Sequence, residues 1–124
     1  MREYEIELEI FEGKGGRSTD VTYPNFVKEG ICVWMFDDEE EPEKKVGDTF
    51  QYPDDVGKLC PWLVDSLTGF LRALENGGTL PWRYRGTPYE KAIDPDGVTT
   101  EFVRCPDPTA CGIVMKIMRS ALPE

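Results

Sequence analysis

The chain is 124 residues long and carries 14 basic and 24 acidic side chains, no histidine and a formal charge of −10. One domain is expected at this length, and 40% apolar with 31% charged residues describes a folded chain rather than an acidic tail. The charge argues against nucleic acid as a partner, which needs a basic surplus to displace counterions, and the lack of histidine excludes Ser-His-Asp and Cys-His catalysis and any His-ligated metal within one chain.

Residues 3–10 alternate Glu3, Glu5, Glu7 and Glu9 with Tyr4, Ile6, Leu8 and Ile10. Period two with one apolar face predicts a half-buried strand. Its glutamates, about 7 Å apart, repel one another unless a neighbour offers cations. The terminal strand, predicted over 112–119, has Lys116 and Arg119, so the two terminal segments are expected to pair. Gly13-Lys14-Gly15-Gly16-Arg17-Ser18 lacks the spacing of a phosphate-binding loop and reads as a flexible loop. The continuous apolar run 31–36 predicts a core strand. The following residues 37–43, six of seven acidic, read as a solvated hairpin tip. Residues 46–52 predict a turn and a further strand.

One helix is predicted, over 61–76. Cys60 is its N-cap, Pro61 stands at the first helical position, and Asn76-Gly77-Gly78 closes it. Leu63, Leu67, Phe70, Leu71 and Leu74 fall at i, i+4, i+7, i+8 and i+11, an apolar stripe that should face a sheet. A second stripe holds Trp62, Ser66, Gly69 and Ala73. Because a mid-helix glycine costs about 1 kcal/mol against alanine, Gly69 is expected to admit another backbone or a ligand, and the stripe suggests a two-fold homodimer contact. Beyond the helix, Asp94-Pro95-Asp96-Gly97 predicts a turn, 99–104 a strand and Cys105-Pro106-Asp107-Pro108 a loop. The expected fold is a single α+β domain over 1–124: a mostly antiparallel sheet, or a small open barrel, of about six strands with one main helix.

No run of about 18 apolar residues occurs, so no membrane-spanning helix is expected. The first residues lack the apolar segment of a signal peptide, which places the mature chain in the cytoplasm with Cys32, Cys60, Cys105 and Cys111 as thiols. The cysteines are 28, 45 and 6 residues apart, with no C-x-x-C pair. Cys60 is the sharpest candidate for chemistry, because a helix N-terminus favours an anion. Cys105, with Asp107, is its candidate partner in proton transfer or covalent addition. Trp62, Trp82, Tyr84 and Tyr89 could wall a ligand pocket, and Arg83, Arg85 or Arg104 could grip a carboxylate.

Three classes of function are open on this reading. The first is a small-molecule site, extending to a cofactor-independent cysteine-assisted enzyme built on Cys60, Cys105 and Asp107, with Trp62, Trp82, Arg83, Tyr84 and Arg104 on the ligand. The second is a zinc or iron–sulfur site from Cys32, Cys60 and Cys105, with Cys111, Asp107 or solvent as fourth ligand. The third is a non-catalytic subunit or interaction module whose acidic half meets a basic partner.

The segments Lys45-Val46-Gly47-Asp48-Thr49-Phe50, Cys60-Pro61-Trp62, Gly77-Gly78-Thr79-Leu80-Pro81-Trp82 and Cys105-Pro106-Asp107-Pro108 occur in that order. Together they resemble an uncharacterised family of small bacterial and archaeal proteins, over roughly residues 30–119, with Cys32 matching the family's first cysteine. The resemblance implies no established activity. The chain departs from the family pattern in the acidic run 37–43 and in the stretch 83–99.

Overall fold

The computed structural model describes residues 3–13, 44–105 and 113–123. Four strands and one α-helix are defined: β1 (Tyr4–Glu12), β2 (Thr49–Tyr52), α1 (Pro61–Glu75), β3 (Val98–Arg104) and β4 (Val114–Ala121), with a single 3₁₀ turn at Val56–Lys58 ahead of the helix. The strands form one antiparallel sheet in the order β2-β1-β4-β3. The arrangement is α+β, and the predicted pairing of the two terminal segments lies at its centre, with Tyr4 opposite Ala121 and Glu9 opposite Lys116.

Among the described residues the sheet has four strands and stays open, with β2 and β3 as edges. No further strand forms between α1 and β3. Pro81, Pro88 and Pro95 withhold backbone donors, so this stretch adds only an isolated bridge, Ala92 to Thr100. The strand predicted over 31–36, the acidic run 37–43 and the loop 14–18 lie outside the described residues.

Alternation sorts the sheet into two faces. Ile6, Leu8 and Ile10 of β1 and Met115 and Ile117 of β4 are buried on the inner face, against Leu63, Leu67, Leu71 and Leu74 of α1. Each of those leucines contributes about 1.5–3 kcal/mol by leaving water. Phe70, predicted within the same stripe, is only partly buried and turns to Trp82, edge to face at 5.3 Å. On the outer face Glu9 meets Lys116 in register, and Glu7 accepts a hydrogen bond from Gln51 Nε2 at 3.0 Å. Arg119 does not serve the glutamate ladder. It stands opposite Ile6, on the inner face, and is buried.

The helix ends where its sequence says it must. Gly77, at φ +86°, takes the left-handed conformation, Gly77 N–H donates to the Leu74 carbonyl at 3.1 Å, and Gly78 N–H to the Ala73 carbonyl at 2.8 Å. This is the paired closure that leaves few helix-end carbonyls unsatisfied. Arg119 Nη1 then donates to the carbonyls of Leu74 and Gly78, at 3.0 and 2.7 Å. A buried cation on the sheet thus holds the C-terminus of the helix, where the helix dipole is negative. Gly69 departs from its expectation: it is exposed, and no described atom lies within 4 Å of where its Cβ would be.

Candidate functional site

The segment leaving α1 crosses from the inner to the outer face around the free edge of β3. Its first anchor is polar and buried. Glu101, on the inner face of β3, accepts the Leu80 N–H at 2.8 Å and pairs with Lys91 Nζ at 3.1 Å through Oε2. Lys91 also donates to the Leu80 carbonyl. The Lys91 and Glu101 side chains are only 5% and 0% exposed, so the pair straps both ends of the segment to one point. Trp82 makes the second anchor, donating from Nε1 to the Phe102 carbonyl at 3.1 Å. Ala92 makes the third by exchanging backbone bonds with Thr100.

Between these anchors the chain turns back on itself and lays two tyrosines over the outer face. Tyr84 has φ +49°, a conformation a bulky side chain rarely adopts, and Thr87 donates both its N–H and its hydroxyl to the Tyr84 carbonyl. The Tyr84 ring meets Tyr89 at 6.5 Å, and Tyr89 meets Phe102 at 6.0 Å and Phe11 at 5.9 Å, all edge to face. Phe11 and Phe102 are 4.8 Å apart. These aromatics border a cavity of about 370 Å³ lined by Glu12, Tyr84, Tyr89, Phe102, Arg104 and Val114. Its size is that of a small-ligand pocket.

The polar groups of this cavity are few. Tyr89 donates its hydroxyl to Glu12 Oε2. That bond, then desolvation, then the carboxylate's charge hold the phenol above its ordinary 10.0, so its proton stays on oxygen. Arg104, exposed on the outer face, forms no ion pair with any described carboxylate.

The structure therefore brings together Tyr84, Arg104 and Tyr89, and leaves Trp62, Trp82, Arg83, Cys60 and Cys105 out of the cavity lining. Trp82 packs against Phe70 and the edge of β3 rather than against a ligand space. Trp62 is 52% exposed on the first turn of α1. Arg83 and Arg85 are exposed and line no cavity described here. Cys60 is the N-cap residue, as predicted, but makes no capping bond with its side chain and packs, half-buried, against the core. Cys105 is buried in the core. Neither thiol lines the tyrosine cavity. Asp107, Cys32 and Cys111 lie outside the described residues, among which no group of three potential metal ligands occurs. Glu12, Phe102 and Val114 were not singled out from the sequence. Strand alternation places Phe102 and Arg104 on one face, but nothing local announces that the segment after α1 folds over it.

Comparison with family models, curated proteins and solved structures gave no match to this chain.

Proposed function

We propose that the protein binds a small, flat organic molecule in the cavity on the outer face of the sheet. The observation that carries this reading is the aromatic cluster of Tyr84, Tyr89 and Phe102 around a space of about 370 Å³ that is also lined by Arg104, whose guanidinium pairs with no carboxylate among the described residues. Aromatic walls contribute apolar contact and edge-to-face attraction, and a few polar groups fix orientation. The backbone conformation of Tyr84 supports it further, because strained residues persist where surrounding structure holds them and are concentrated at ligand sites. A cysteine-assisted reaction draws no support from this cavity, since neither Cys60 nor Cys105 is among its walls.

The test is a ¹H–¹⁵N titration of the protein with 2-naphthoate. Resonances of Tyr84, Tyr89, Phe102 and Arg104 should move together and saturate, and Tyr89→Ala should abolish the response. Shifts confined to other regions, or none at millimolar probe, would overturn the reading.

A further inference from the structure

The cavity has a floor with opposite charges at its two ends. Glu12 of β1 stands opposite Val114 of β4, and Val114 stands opposite Arg104 of β3. The three residues therefore form one row across three strands, and all three line the cavity. Two strand spacings put the Cα atoms of Glu12 and Arg104 about 10 Å apart. The carboxylate and the guanidinium are not joined as an ion pair, and the apolar side chain of Val114 lies between their strands. Glu12 spends one oxygen, Oε2, on the Tyr89 hydroxyl. Its other oxygen has no bond within the described structure, and the Arg104 guanidinium keeps its planar set of donors. Phe102 lies in the next row of the same face, and Tyr84 and Tyr89 complete the lining.

We propose that the ligand of this cavity is an aromatic ampholyte, a flat ring bearing a carboxylate that meets Arg104 and, at its far end, an ammonium or amine that meets Glu12. This deepens the reading given under Proposed function and rests on it. A guanidinium takes a carboxylate through two parallel N–H bonds, and a carboxylate takes an ammonium through a charge-assisted one. Neither partner can be supplied by the other across the width of Val114, so a molecule spanning one ring satisfies both. A monoanion meets Arg104 alone and a monocation meets Glu12 alone, so each half-probe forgoes one of the two charge-assisted contacts. The Tyr89 hydroxyl, engaged with Glu12, fixes that carboxylate in place rather than meeting the ligand itself.

The experiment compares 4-(aminomethyl)benzoate, benzoate and benzylamine by the same resonance titration on the full chain. The ampholyte should bind about tenfold or more tightly than either half-probe, the size expected for one charged hydrogen-bonded contact. Glu12→Gln should bring the ampholyte down to benzoate, and Arg104→Gln should bring it down to benzylamine. Both positions are exposed on the sheet, and the dispersion of the spectrum reports whether each variant stays folded. Equal affinity for all three probes at the cavity, or no response to either substitution, would overturn the ampholyte while leaving a flat-ligand site standing. No binding at the cavity by any probe, 2-naphthoate included, would overturn both.

Discussion

The guanidinium of Arg119 is 1% exposed and lies on the core side of β4. It reaches the Leu74 and Gly78 carbonyls, donates from Nη2 to Thr99 Oγ1 at 3.3 Å, and stacks over Tyr4 with 4.4 Å between its carbon and the ring centroid. Hydrogen bonds to a charged group are worth about 1.5–3 kcal/mol when the alternative is a buried unpaired acceptor. Arg119→Met, which keeps the length but not the donors, should therefore lower stability by about 3 kcal/mol in urea unfolding, with little change in slope. The Lys91–Glu101 pair behaves differently. Removing one partner strands a buried charge and should cost about 3–5 kcal/mol, whereas Lys91→Met with Glu101→Leu should cost less than the sum of the two single changes, because the pair's attraction is offset by its desolvation and what remains is the loss of partners for the Leu80 N–H and carbonyl. A double-mutant cycle showing additive losses would refute that. Tyr89 carries the pH consequence. Its phenol is raised by the bond to Glu12, so the folded state holds that proton more tightly than the unfolded one. Its contribution to stability is complete below pH 10.0 and fades as pH climbs through the folded-state value. Tyr52 is raised as well, first by burial and then by Glu75. Tyrosine Cζ titration by ¹³C NMR should show the phenols of Tyr52 and Tyr89 ionising above 10.0, and Tyr89→Phe should remove the second of these resonances.

At the level of elements, α1 was the most legible part of the chain. Pro61, the leucine spacing and Gly77-Gly78 fix its ends and its buried face by local rules, and the observed bounds, Pro61–Glu75, differ from the expected ones by one residue. Leu67 is fully buried, so Leu67→Ala should cost about 2–5 kcal/mol. Gly69 offers the opposite test. With open space around it among the described residues, Gly69→Ala should raise stability by up to about 1 kcal/mol, measured by urea midpoint. A loss instead would mean that another backbone does approach there. The motif words read from the sequence turn out to sit at joints. Cys60-Pro61 opens the helix, Gly77-Gly78 closes it, and Val46-Gly47-Asp48 leads into β2, where Gly47 N–H bonds the Ile10 carbonyl and Ile10 N–H bonds the Asp48 carbonyl. The cavity was less legible. Its members come from β1, β3, β4 and the segment between α1 and β3, and their meeting depends on the Lys91–Glu101 strap, a contact between residues that no periodicity marks.

On the scale of the whole molecule, charge and topology pull in different directions. The excess of negative charge works against compaction, and Glu5, Glu7 and Glu9 stand in one row on the outer face. Raising ionic strength from about 0.01 M to 0.15 M should therefore increase the urea midpoint, since that range shortens the screening length below the span of the row. A falling midpoint would show that favourable pairs such as Glu9 with Lys116 outweigh the repulsion. Topology supplies the cohesion. The longest ladder joins β1 to β4, and Gly13, at φ +110°, sits so close to Ile113 that a Cβ would come within 2.5 Å of the Ile113 Cα. That central ladder has a consequence for biosynthesis. A ribosome releases β1 first and β4 last, so Ile6, Leu8 and Ile10 leave the exit tunnel long before the strand that completes their sheet exists. Folding must then wait for a contact between distant parts of the chain, which slows it and exposes an apolar strand edge to other nascent chains in the meantime. The glutamates that alternate with those three residues keep the waiting segment in solution, so the row that strains the finished sheet protects the unfinished one.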